Sequence, residues 1–327
     1  MAINRDMELY IAGTVLQLPC FFPSVSSVRT NLNPVDYVEL LDLSGHPHFL
    51  VSAYDLFHCP NDQYQRIDTT LKQSKARGSA ILMDSGNYES FWKDDKTWLP
   101  DTFHKIAGTN NYHLCFCYDN QDPPSDSKLI AEDVVGSVLR DQEYALGTVI
   151  PIIHGSAITL PDAVRMVAEQ LHPIFLTVPE RELGEGIVER TQTVRKIREA
   201  LNSLGTYYPL HLLGTGNPLS IITYALAGAD SFDGLEWCQT TVDHETGRLL
   251  HFQQWDLIRH QTKWGDPSPL PYIQSVLMHN LDFYEKFMIE FREAIRSNDT
   301  ESFLRYYATN EQASLLFQAG NQINSIL

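Results

Sequence analysis

AILMDSGNYES, residues 80–90, sets an apolar run directly against Asp84, Ser85 and Gly86. A short, continuous apolar run that stops at turn residues reads as a strand buried on both faces, the kind from which parallel sheets are built. The carboxylate, the hydroxyl and the glycine then fall where that strand runs out, and Tyr88 places an aromatic ring just beyond. Seven further runs share the form: LQLPCFF (16–22), HFLVSAYDL (48–56), YHLCFCYD (112–119), TVIPIIHG (148–155), PIFLTVP (173–179), PLHLLGTG (209–216) and DSFDGLEW (230–237).

Helix-compatible segments separate the runs. Asn33-Pro34 opens VDYVELLDL, Thr159 stands as the cap of LPDAVRMVAEQLH, and Asn217-Pro218 opens LSIITYALAG, each a capping residue or first-turn proline where a helix should start. Eight buried strands alternating with helices predict a (β/α)8 TIM-type barrel over residues 1–240, with 241–327 as a C-terminal helical extension packed on it. The extension carries an apolar stripe at helical spacing, Leu277, Leu281, Tyr284, Met288, Phe291 and Ile295. Packing on the barrel and pairing with a second copy are equal readings of that stripe.

Composition narrows the function classes. With 327 residues, 43% hydrophobic and 20% charged, the chain is globular. No apolar stretch is long enough to span a membrane, and MAINRDMELYIAG lacks a signal-peptide pattern, so a cytoplasmic protein with no membrane partner is expected. Its 24 Lys+Arg against 41 Asp+Glu, a net charge of −17, argue against a large phosphate-gripping surface and leave room for a small basic cleft. Cys20, Cys59, Cys115, Cys117 and Cys238 are odd in number and scattered through apolar segments, as reduced buried thiols would be.

In a barrel of this type the site is assembled at the C-terminal strand ends, and those ends are polar here. Asp84, Asp119, His154, Thr177 with Glu180, Gly214-Thr215-Gly216 and Asp233 close six successive runs. Taken singly, Asp and Gly at such places begin loops and cap the next helix. Three aspartates at one rim would also raise one another's pKa and divide into nucleophile and acid/base roles.

The order of the motifs resembles the tRNA-guanine transglycosylase family. Asp84-Ser85-Gly86-Asn87-Tyr88-Glu89 stands where that family has DSGG[YF]Q, and LPCFFPSVSSVRTNLNP is similar to its entry segment. HFLVSAYDLFHCP is similar to its "NTYHL…PG" strand, and His154-Gly155-Ser156 takes the place of QGG. Leu213–Pro218 resembles LMGVGTP, ALAGADSFDG resembles ALGVDMFDC, and MHNLDFYEKFMIEFREAIRSND resembles the late HN helix. The resemblance implies a modified TIM barrel that exchanges guanine for a 7-deazaguanine at a glycosidic carbon. It makes Asp233 the nucleophile and Asp84 the acid/base. Asp119 binds the ring edge beside His154, Gly155, Ser85, Gly86 and Gly214, while Tyr88 and Leu213 wall the ring. Guanine or a 7-deazaguanine is the implied ligand, no cofactor is implied, and a homodimer is common among such proteins.

Departures from the pattern bear on the acceptor. The family's zinc cysteines are missing between Cys238 and His279, so no metal is expected and His279 reads as a hydrogen-bonded core or helix-start residue. Ile174-Phe175 stands where a glycine pair gives the base backbone contacts, and bulky side chains there would alter its fit. The stretch after Asp233 lacks the family's basic residues. Three readings follow: a transglycosylase acting on nucleic acid, DNA rather than ordinary tRNA; a 7-deazaguanine-binding protein that recognises a modified protein partner, as in antiphage operons of the cyclic-oligonucleotide type; and unrelated two-carboxylate chemistry such as glycoside hydrolysis.

Overall fold

In the computed structural model, residues 5–321 are described except positions 12, 110, 266 and 267. Each of the eight apolar runs contributes one strand to a parallel sheet, and a short antiparallel hairpin lies at either end of the series. Strand β1 (Glu8–Ile11) pairs with β2 (Thr14–Gln17). The series then runs β3 (Cys20–Pro23), β4 (His48–Ser52), β5 (Ala80–Asp84), β6 (Leu114–Phe116), β7 (Thr148–Ile150), β8 (Leu176–Pro179), β9 (Leu210–Leu213) and β10 (Ser231–Gly234), before β11 (Thr240–Val242) pairs with β12 (Leu249–His251).

The eight strands form two four-stranded parallel sheets, ordered β3-β10-β9-β8 and β4-β5-β6-β7. Single parallel bridges join their edges, Ser24 with Leu50 just past β3 and Ile152 with Thr177 just past β7. At these joints Val25 N–H donates to the Leu50 carbonyl at 2.8 Å and Ile153 N–H to that of Thr177 at 2.9 Å. Phe21, Phe49, Phe116 and Phe232 are all buried along these strands, which is why the runs are apolar throughout rather than alternating.

Helices fill the connections as the capping residues foretell. Asn217 accepts from the N–H groups of Leu219 and Ser220 and starts helix 218–227. The Asn33 N–H donates to Asp36 Oδ2 at 3.3 Å where helix 34–44 begins. Thr159 departs from expectation: it holds the cap position of helix 160–171, but its hydroxyl donates to the Ser156 carbonyl instead of accepting from the first turn.

The strands are shorter than the runs that contain them, and in two runs the cause is plain. Residues 53–56 of HFLVSAYDL begin a helix that runs to His58, where Asp55 turns back to accept from the Ser27 N–H at 2.7 Å rather than extend the sheet. Run 16–22 divides at Pro19 between the last residues of β2 and the start of β3, since proline has no N–H to give a ladder. The long helix Tyr272–Arg296 carries the apolar stripe, and the stripe packs on its own chain. Tyr284 stacks on Phe21 at 4.4 Å between centroids, and Arg292 donates to the Pro19 carbonyl at 3.0 Å. Among the described residues, no helix is long and apolar enough to cross a membrane.

Candidate active site

The C-terminal ends of the parallel strands surround a cavity of about 330 Å³. Asp84, Ser85, Tyr88, Asp119, His154, Leu213, Gly214 and Asp233, all singled out from sequence, line it. Gly86 and Gly155 lie behind the wall and shape it. Gly86 has φ +85°, and a Cβ there would sit 2.5 Å from Tyr54 Cβ and 2.6 Å from its backbone nitrogen; only glycine fits the turn that carries Tyr88. Gly155 donates its N–H to Glu182 Oε2 at 2.6 Å. Thr177 and Thr215 are fully buried away from the cavity.

Asp233 lies in β10 next to its last residue and is held from two sides. Its Oδ2 accepts from Ser24 Oγ at 2.7 Å, and its Oδ1 from the Gly214 N–H at 3.1 Å with His211 Nε2 at 3.2 Å. Ser24 is itself fixed, since the Trp237 indole N–H donates to its carbonyl at 2.8 Å. Asp84, the last residue of β5, accepts from the Gly86 N–H at 3.2 Å. Burial raises the Asp84 pKa well above the usual carboxylate range, and the neighbouring charges of Glu89 and Asp119 push it further the same way.

Asp119 is the opposite case. Burial would raise its pKa, yet His154, Ser85 and Asn87 outweigh that and hold it below the usual range. Its Oδ1 accepts from Ser85 Oγ at 2.6 Å and Asn87 Nδ2 at 2.8 Å, while its Oδ2 faces His154 Nε2 at 2.8 Å and accepts from Gln121 Nε2. The other ring nitrogen of His154, Nδ1, lies 2.5 Å from Glu182 Oε1. Burial alone would lower the His154 pKa, but the two carboxylates raise it to about 9, so an imidazolium bridges them at neutral pH.

Sequence reasoning missed much of the remaining wall. Glu89 accepts from Ser26 and Ser52 (2.7 Å), and burial raises its pKa to about 7. Glu236 is likewise raised to about 7 by burial. Gln121 and Arg181 also line the cavity, joined by an Arg181 Nη2 donation to Gln121 Oε1 at 2.7 Å. The signal that could have found these residues is their position: each lies within five residues of a strand end already marked.

Ile174-Phe175 does not obstruct the cavity. These residues precede β8 and lie outside the lining, Phe175 packing on His211 at 5.6 Å between centroids, while Pro179, Glu180 and Arg181 form that part of the wall. His279 lies within helix 272–296, not at its start. Its Nε2 is 2.8 Å from the Val242 carbonyl and its Nδ1 3.0 Å from Thr262 Oγ1. Among the described residues, no three His, Cys, Asp or Glu side chains are placed to hold a metal ion. No protein-family model matches the chain, and no curated protein does either.

Proposed function

We propose that the two sheets close into one (β/α)8 barrel and that the cavity at its strand ends exchanges a guanine-type base at a glycosidic carbon, as the ordered motifs imply. The observation that carries this reading is the opposed protonation of two strand-end carboxylates around one base-sized cavity: Asp84 shifted towards its acid form, Asp119 held as the anion. An acid is needed to protonate the leaving base, and an anion to accept from the ring's N–H donors.

In this reading an Asp233 carboxylate oxygen attacks the sugar carbon, and the carbon–nitrogen bond to guanine breaks as Asp84 gives its proton to the departing ring. The incoming 7-deazaguanine loses its ring N–H proton to Asp84, and its nitrogen displaces Asp233 from the sugar. Ser24, the Gly214 N–H and His211 hold Asp233 through both steps. Tyr88 and Leu213 flank the ring as apolar walls.

The acceptor is read from charge. Asp84, Glu89, Asp119, Glu180, Asp233 and Glu236 all line the cavity, against His154 and Arg181, and the whole chain carries −17. A polyanion that needs many Lys and Arg contacts finds few here, which favours a DNA end, a short strand or a protein partner over the body of a tRNA. The deciding experiment is Asp233→Asn. Base affinity by calorimetry should persist while exchange of labelled guanine ceases; exchange that survives the substitution refutes the assignment. Binding without exchange in the unaltered protein would instead mark a base-recognising module.

A further inference from the structure

Asp119 has four hydrogen-bond partners, and they differ in kind. Ser85, Asn87 and His154 are each buried to nine-tenths or more and belong to the cavity wall. Gln121 is exposed, lines the cavity, and reaches the same Oδ2 that faces His154, its Nε2 lying 3.3 Å from His154 Nε2. A carboxylate has about four lone-pair positions, so the described partners leave Asp119 no acceptor site for a ring. The Gln121 amide is in turn held from outside, where Arg181 Nη2 donates to its Oε1 at 2.7 Å and Arg181 Nε lies 3.7 Å from Glu182.

We infer that Gln121 is an internal stand-in for the bound ring edge. Its amide N–H occupies the Asp119 oxygen that a ring amino group takes, and binding proceeds by exchange of one N–H donor for the other. This rests on the base-binding role given to Asp119 above. An N–H donor leaving a carboxylate must be replaced by another donor, because an unpaired buried anion is costly. The ligands that displace Gln121 are therefore rings with an amino group beside a ring N–H, such as guanine and the 7-deazaguanines. Xanthine, which presents a carbonyl oxygen at that place, meets Asp119 oxygen to oxygen and is turned away. Arg181 sets how firmly the amide is seated, so Gln121 and Arg181 act together as positioning residues, outside the reacting atoms.

An internal competitor lowers apparent affinity by the fraction of time it is displaced. Removing it raises affinity, whereas removing a ligand contact lowers it. The test is stopped-flow and calorimetric binding of guanine and xanthine to the full chain and to Gln121→Ala and Gln121→Glu. The glutamate has the same shape but cannot donate when ionised, and Asp119 repels it. Both variants should bind guanine about tenfold more tightly, through a faster on-rate with the off-rate little changed, and xanthine should gain nothing. Weaker or unaltered guanine binding in Gln121→Ala overturns the inference while leaving the base pocket standing. Failure of guanine to bind the unaltered protein and both variants overturns the pocket reading and this inference together. Loss of exchange in the unaltered protein with the affinity gain intact would remove only the catalytic reading.

Discussion

Asp84 ends β5 and Asp119 lies three residues past the end of neighbouring β6, yet they are driven to opposite protonation states, and the cause is what each carboxylate faces. Asp84 is desolvated with one backbone donor and three like charges near it, those of Glu89, Asp119 and Asp233; Asp119 has a cation and three side-chain donors. Asp119→Ala should weaken guanine binding more than tenfold, since it leaves ring donors unpaired. It should also drop the His154 pKa from about 9 towards its ordinary range, which an NMR titration of the ring would read. His154 also makes stability pH-dependent. Its folded pKa is raised above the unfolded value of 6.5, so its contribution is complete below about pH 6.5 and is lost as pH rises towards 9. Urea denaturation of His154→Gln should show a stability loss roughly 2–3 kcal/mol larger near pH 6 than near pH 9.5. The two aspartates were legible as strand-end carboxylates, whereas Glu182 was not. Nothing in a linear reading says that a glutamate past β8 reaches the histidine past β7.

At the scale of elements, the turn from β5 into helix 87–92 does most to build the site. Gly86 sits at φ +85° against the Tyr54 backbone, so Gly86→Ala must displace either the turn or the segment beneath it. The expected cost is about 2 kcal/mol or more by chemical denaturation, with guanine binding lost because Ser85, Asn87 and Tyr88 all ride on that turn. A variant that keeps both stability and binding would show that the turn has slack. Helix 218–227 offers a milder case, for Asn217→Ala removes a cap that accepts from two N–H groups and should cost about 1 kcal/mol. Caps and runs were readable because both are local chemistry. Thr159 misled because a hydroxyl has competing acceptors nearby, and Ser156 won.

Across the whole molecule, helix 272–296 is tied to the segment that follows the strand carrying Asp233. Asn280, fully buried, donates to the carbonyls of Trp237 and Thr240, each at 2.7 Å, and accepts from the Val242 N–H at 2.9 Å. Trp237 in turn holds Ser24, the partner of Asp233. Asn280→Leu strands three buried backbone groups and should destabilise by about 3 kcal/mol or more in denaturation. The same change should loosen Asp233, read as a fall in exchange rate larger than any fall in base affinity. Equal losses in both would mean that the helix supports the cavity only in bulk.

By itself the sequence determined which segments are buried strands, where several helices begin, and which carboxylates stand at strand ends, because burial on two faces, capping and turn formation depend on residues close in the chain. Only the tertiary structure decided the rest. It turned the stripe from Leu277 to Ile295 inward onto Phe21, set Ile174-Phe175 outside the cavity, and placed His154 between Asp119 and Glu182. These outcomes depend on distances between residues far apart in the chain. A protonation state or an occupied hydrogen-bond site is the property of such a constellation, set by desolvation and neighbouring charge, and no single segment carries it.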